Sequence, residues 1–242
     1  MKIEATYDDV YAHARPLGLI VLKTDETVEP EFHHYFADHP APLFVSRIQN
    51  ADSVTVETLS AMKADMTQSA AMLPNQSYPV VGYACTSASS VIGSDAVEAR
   101  VKKGCRTDHV TNPLRAAIAC AADRGVSKFA LVSPYIEDVN TPLRDAFSAA
   151  GLSTDVFGSF EEGHDPDVVR ISVQSVVDAG VKLGSDTSVD AVFLSCTNLR
   201  TREAIPLIEA EIKKPVLSSN QALAWHMKAL SGEMSKVGHI VK

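Results

Sequence analysis

Long apolar runs are missing from this chain of 242 residues. No stretch approaches the roughly 18–20 consecutive apolar residues that cross a bilayer, so no membrane partner is expected. Positive charge is also short: 22 Lys and Arg against 30 Asp and Glu leave a net charge of −8. A nucleic-acid binder would need a basic face, and this balance argues against one. Cysteine is sparse, and four residues cannot build a disulfide scaffold. Their spacings of 20, 15 and 76 residues contain no C-x-x-C pair. That excludes the familiar zinc modules and dithiol redox motifs. His33, His34 and His39 lie near one another in sequence but read as solvated, so no metal is expected. No G-x-G-x-x-G fingerprint or P-loop occurs, so no nicotinamide, flavin or nucleotide cofactor is expected. The opening MKIEATYDDVYAHARP is too acidic and polar for a signal peptide. Reduced thiols in a cytoplasmic protein are the expectation that follows.

What is present is an alternation. Short apolar runs read as strands at Leu17–Leu22, Leu43–Ile48, Val80–Cys85, Phe129–Ser133, Asp155–Gly158, Ala191–Cys196 and Val216–Ser219. Most are continuous rather than alternating, the pattern of strands buried on both faces of a parallel sheet. Helical spacing fills the gaps: Ser53–Met72, Asn112–Ala122, Val139–Ala149, Asp167–Lys182 and Thr201–Lys213. Strand alternating with helix implies right-handed βαβ units and an α/β fold. The chain reads strand, Cys-Thr-Ser, helix around Cys85, and strand, Cys-Thr-Asn, helix around Cys196, 111 residues later. That near-half-chain repeat predicts two similar α/β lobes facing each other. Ligands bind beyond the carboxyl ends of parallel strands, where both cysteines lie, so the site is expected in the cleft between the lobes.

Free cysteine is most often buried filler, and Cys105 and Cys120 fit that description. Cys120 sits in the Ala-rich run AAIACAA. Cys85 and Cys196 invite another reading, in which each ends a strand and opens a helix. A helix N-terminus offers free N–H groups and a positive dipole end that lower a thiol's pKa and can hold a carboxylate. Thr86, Ser87 and Thr197 add hydroxyl donors. Two thiols on opposite sides of a bound anion suit proton transfer or nucleophilic addition beside a carboxylate, without a cofactor. A non-catalytic protein that binds a small ligand in the same cleft stays open as the alternative. Asp25, in T-D-E-T-V-E, reads as a helix cap, a ligand-binding group, or both.

At these residues the sequence resembles the Asp/Glu racemase superfamily, in the branch holding maleate cis-trans isomerases and arylmalonate decarboxylases. The resemblance runs from about Leu17 to about Leu230 and rests on KTDETVEPEF, YACTSASSVIG, SPYIEDVN, VFLSCTNLRT and KPVLSSNQALAWHM. Within the branch the chain looks most like racemase-like proteins of ectoine utilisation. The resemblance implies two Rossmann-like lobes with parallel four-stranded sheets related by a pseudo-twofold, residues 1–112 with 215–242 forming the first and residues 113–214 the second. It also implies a cofactor-independent isomerase or racemase acting on a small carboxylate or amino acid, and a homodimer. Cys85 would be the nucleophile or base and Cys196 the partner acid. Tyr135, Thr86, Ser87 and Thr197 would hold carboxylate, with Thr24, Asp25 and Asn198 also in the substrate site. A maleate isomerase and an arylmalonate-type decarboxylase using Cys196 alone are the alternative enzymes. Two departures stand out. The isomerases carry Asn in the loop after the first strand, where this chain has Asp25. They carry a second Asn that the segment Asp165-Pro166-Asp167 lacks. An added acid there suits a substrate with an amino group.

Overall fold

The computed structural model describes Met1 and residues 3–232. The expected first lobe's last residues, 233–242, lie outside the described residues. The first half runs β1 (Leu17–Leu22), α1 (Val28–Tyr35), β2 (Leu43–Ile48), α2 (Val56–Ala61), α3 (Met66–Ala71), β3 (Ser77–Ala84), α4 (Thr86–Ile92), α5 (Ser94–Gly104), β4 (Arg106–Thr111) and α6 (Pro113–Arg124). The second runs β5 (Lys128–Ser133), α7 (Glu137–Ala149), β6 (Ser153–Ser159), α8 (Asp165–Val168), α9 (Val173–Gly184), β7 (Ala191–Leu194), α10 (Ala204–Ile212), β8 (Val216–Ser218) and α11 (Ser219–Leu230).

The strands form two parallel four-stranded sheets, ordered β2-β1-β3-β4 and β6-β5-β7-β8. The repeated order makes β1 the counterpart of β5, β3 of β7, and α6 of α11. The apolar run LGLIVL is buried along its whole length, as a central strand covered on both faces must be. Each sheet ends with a helix that reaches toward the other lobe. Helix α11 packs on α6 and crosses to β3 and β4 of the first sheet. The approach is close: a Cβ at Gly82 would come within 2.6 Å of Met227 Sδ. Helix α6 ends at Gly125, whose φ of 66° admits the left-handed cap with Val126 N–H donating to Ala121 O. The lobes share their cores, with Leu19 and Val21 in one apolar cluster with Phe129, Leu131 and Phe193.

Several boundaries differ from the sequence expectations. Strand β8 pairs with β7, so the chain crosses back to the first lobe at Ser219 rather than residue 215. Strand β4, RTDHVT, was not expected. It is a polar sheet edge that pairs with β3 on one side and has no continuous apolar run. The single helix expected over Ser53–Met72 is two, because i→i+3 turns from Lys63 to Asp65 break the ladder while Leu59, Met62 and Met66 stay buried. Likewise Asp167–Lys182 divides into α8 and α9, the latter capped by Ser172, whose hydroxyl accepts from Ser175 N–H at 3.0 Å. No helix among the described residues is long and apolar enough to cross a membrane.

Candidate active site

The carboxyl ends of β3 and β7 meet between the lobes and deliver the two thiols. Cys85 follows β3 directly and is the N-cap of α4, with extended φ of −152°. Its Sγ accepts the Ala88 N–H at 3.4 Å and lies 3.6 Å from Ser87 Oγ. Cys196 stands two residues beyond β7 and opens no helix, contrary to the sequence expectation. Helix α10 begins only at Ala204. Cys196 adopts φ of 105°, a conformation that a residue with a side chain rarely takes. Its Sγ accepts the Asn198 N–H at 3.4 Å, and its own N–H donates to Ser219 Oγ at 3.0 Å. Both cysteines are 2 % exposed.

Burial dominates the electrostatics. It pushes the Cys85 thiol up to about 12, against the opposing pull of the Ala88 N–H and Ser87. Cys196 rises well above its ordinary value, again through burial, with Asp165 adding to the effect and the Tyr135 hydroxyl opposing it. The lowering expected from a helix N-terminus is therefore outweighed by desolvation. Tyr135 is itself buried beside Cys196, Cys85 and Ser87, and its hydroxyl is held neutral.

Two acids face these thiols. Asp25 Oδ1 accepts the Thr27 and Val28 N–H groups, each at 2.8 Å, and so caps the entry to α1. Its Oδ2 is buried without a hydrogen-bond partner among the described residues. The nearby Thr197 hydroxyl, which donates to Ala84 O at 3.4 Å, still lowers Asp25 somewhat. Burial nevertheless lifts Asp25 from 3.8 to about 6. Asp165 is the residue that sequence reasoning missed as a site group, although its departure from Asn was the available signal. It is buried, its pKa is raised by desolvation, and it accepts from the Thr24 hydroxyl. Asn50 donates to Thr24 Oγ1 at 2.7 Å and completes that arm.

Asn198 stitches the lobes at this point. Its Oδ1 accepts the Glu26 N–H at 2.9 Å and its Nδ2 donates to Asp165 O at 3.0 Å. Thr86 lies at the site, but its hydroxyl is committed to Ser219 Oγ at 2.8 Å and is fully buried. Thus Thr24, Asp25, Cys85, Ser87, Tyr135, Cys196, Thr197 and Asn198 are gathered in one place, with the Thr86 hydroxyl turned to the start of α11. Residues 163–165 strap the cleft: Val54 N–H donates to Gly163 O at 2.8 Å and Asp165 N–H to Asp52 O at 2.7 Å. Cys120 is buried in α6 and Cys105 is half-buried, its Sγ donating to Val101 O. No cluster of three or more His, Cys, Asp or Glu placed to hold a metal occurs among the described residues.

Two pseudosymmetric parallel-sheet lobes with a buried thiol at the end of each equivalent strand define a two-lobed α/β protein with a paired-cysteine site. The sequence profile of the arylmalonate decarboxylase family matches residues 17–239, and the chain belongs to that family. It is 29 % identical to arylmalonate decarboxylase of Bordetella bronchiseptica, over 91 % of this chain and 92 % of that protein. It is 25 % identical to maleate isomerase of Alcaligenes faecalis, over 93 % and 95 % respectively. A solved structure of Nocardia farcinica maleate cis-trans isomerase, a mutant with a covalently bound succinylcysteine intermediate, shares the fold with TM-score 0.80. Its identity is 24 %, and the match covers 89 % of this chain and 92 % of that one.

Proposed function

We propose that this protein is a cofactor-independent isomerase or racemase of a small carboxylate or amino acid, with Cys85 and Cys196 as its working pair. The observation that carries this reading is the presence of a buried thiol on each of the two equivalent turns, beside one tyrosine hydroxyl. As a racemase, the thiolate of one cysteine takes the α-proton and the thiol of the other returns one to the opposite face. As an isomerase, the Cys85 thiolate adds to an alkene carbon, and Cys196 protonates the neighbouring carbon. Rotation about the new single bond and reversal of both steps then release the isomer. The covalent succinylcysteine on the Nocardia isomerase supports the second route. Ser87, Tyr135 and the N–H groups of the Cys85 turn are the groups suited to a carboxylate.

Both thiols are held protonated by burial and by two carboxylates. A positively charged group arriving beside Asp25 and Asp165 would offset that penalty and bring a thiol down. This favours an amine-bearing substrate over maleate, and an acylated diamino acid of ectoine breakdown is the finer assignment. A homodimer is part of the same proposal, and sedimentation velocity checks it. The second reading is a decarboxylase that uses Cys196 alone, favoured by the family profile. The deciding experiment incubates the protein in D₂O with aspartate, glutamate, maleate, arylmalonate and acetylated diaminobutyrate. Deuterium at the α-carbon without net decarboxylation supports the leading reading; loss of CO₂ from arylmalonate with no exchange elsewhere overturns it.

A further inference from the structure

We propose that Glu31 is the positioning residue of Cys196, a carboxylate supplied by the opposite lobe to hold the turn that carries this thiol. Glu31 lies on α1, is 5 % exposed and belongs to no part of the substrate site described above. Its Oε1 accepts the N–H groups of Thr201 and Arg202 at 3.0 and 2.9 Å. Its Oε2 accepts from Asn220 Nδ2 at 2.9 Å, and the same Nδ2 donates to Thr197 O at 2.8 Å. The carboxylate thus grips the far end of the loop directly and its near end, next to Cys196, through Asn220.

The loop needs such a grip for two reasons. Cys196 sits at φ of 105°, which persists only where the surroundings over-determine it. The loop also runs into the start of α10, where Thr201 O accepts the Ile205 N–H, so the N–H groups of residues 201 and 202 have no intrahelical partner, and that of Thr201 would be buried unpaired without Glu31. An anion at that position acts as the cap that the chain does not supply locally. Cys85 has no such dependence, since its cap to Ala88 is made within its own turn. Glu31 pays for the role in its own ionisation: burial raises its pKa, and the donors of Arg202, Asn220 and Thr201 oppose that rise.

The catalytic consequence rests on the proposed role of Cys196, but the test can be read without a substrate. Native wild type, Glu31→Gln and Glu31→Ala are alkylated with iodoacetamide across a pH series, and each cysteine is followed by peptide mass spectrometry. Alanine leaves buried donors unpaired, which corresponds to about tenfold or more in local opening. Cys196 is expected to label about tenfold faster in Glu31→Ala, with Cys85 and Cys120 unchanged. Glutamine keeps one acceptor for the two N–H groups but turns a donor toward Asn220, so an intermediate rate is expected. If the alanine variant does not fold, Glu31→Gln alone decides. Unchanged Cys196 labelling, or an equal rise at Cys85 and Cys120, overturns the proposal. Once a substrate is found, a fall in kcat with little change in KM is the matching kinetic result. Absence of any turnover with the labelling result intact would count against the proposed function and not against this role.

Discussion

The two cysteine turns occupy equivalent places in the two lobes, yet they are built differently. The Cys85 turn is local. An extended residue caps the helix that follows, and the thiol accepts an N–H three residues on. The Cys196 turn is assembled from elsewhere. Its backbone N–H goes to Ser219, Thr197 O is held by Asn220, and Asn198 reaches the β1–α1 loop of the first lobe. Equivalent buried thiols therefore do not require equal local structure. What each turn needs is its donors satisfied and its sulfur fixed; the second lobe fixes its sulfur on its own Asn198 N–H but takes the acceptor for the Cys196 N–H from its partner lobe. The consequence is that Cys196 is coupled to lobe packing in a way that Cys85 is not.

The largest effects are expected on the thiols themselves. Cys196→Ala should reduce turnover by about 10²–10⁴-fold under either enzymatic reading, the usual scale for a lost acid or base. Cys85→Ala should do the same to a racemase or isomerase and leave a decarboxylase largely active. Initial rates on whichever substrate exchanges deuterium check both, and equal tolerance of the two alanines would break the paired-thiol comparison.

Asp25 tests the cost of arming the site. Its folded pKa of about 6 lies above the ordinary 3.8, so folding takes up a proton between these values. The stability this gives is complete below about pH 4 and is lost as pH rises through 6, a difference of about 3 kcal/mol. Asparagine retains the Oδ1 cap and never ionises. Asp25→Asn should therefore be more stable than wild type at pH 7.5 by up to about 3 kcal/mol, with the advantage gone near pH 4. Urea denaturation at the two pH values measures it. No gain at pH 7.5 would mean that Asp25 carries no buried charge and that the argument for an amine-bearing substrate loses its support.

Much of this was legible in the sequence. Short apolar runs, most of them continuous, marked seven strands, and the repeat around Cys85 and Cys196 announced two lobes and placed the pair at strand ends. What stayed hidden depends on long-range contact. Strand β4 is a polar edge whose only signal is its pairing with β3. The turn after Cys196 looked like a helix start because its local sequence matches that of Cys85; the difference lies in Ser219 and Glu31, which are distant in the chain. Asp165 was visible only as a missing Asn, because nothing near it in sequence says that Thr24 and Asn198 will meet it.

A smaller effect separates the turns at their supports. Ser219 Oγ accepts from both the Thr86 hydroxyl and the Cys196 N–H. Ser219→Ala leaves that buried N–H unpaired, at about 1–3 kcal/mol. Native-state hydrogen exchange should show lost protection at Cys196, with the Ala88 amide in the Cys85 turn unaffected. Equal loss at both would mean that the turns open together.

The smallest expected effect is also the most selective, because a different residue should restore stability at each turn. At position 85 the requirement is an acceptor for the Ala88 N–H. Cys85→Ser should exceed Cys85→Ala by about 1 kcal/mol, the worth of an N-cap. At position 196 the requirement is freedom at positive φ, which costs a residue with a Cβ about 1–2 kcal/mol. Cys196→Gly should therefore exceed Cys196→Ala by about 1 kcal/mol after glycine's own entropy loss is set against that relief. Thermal denaturation of these four variants, with Cys85→Gly as a fifth, reads both differences in one fold, with no substrate required. A glycine preference at 85 as large as that at 196 would show that the backbone at Cys196 is unstrained, and the contrast between a locally built turn and an externally held one would fail.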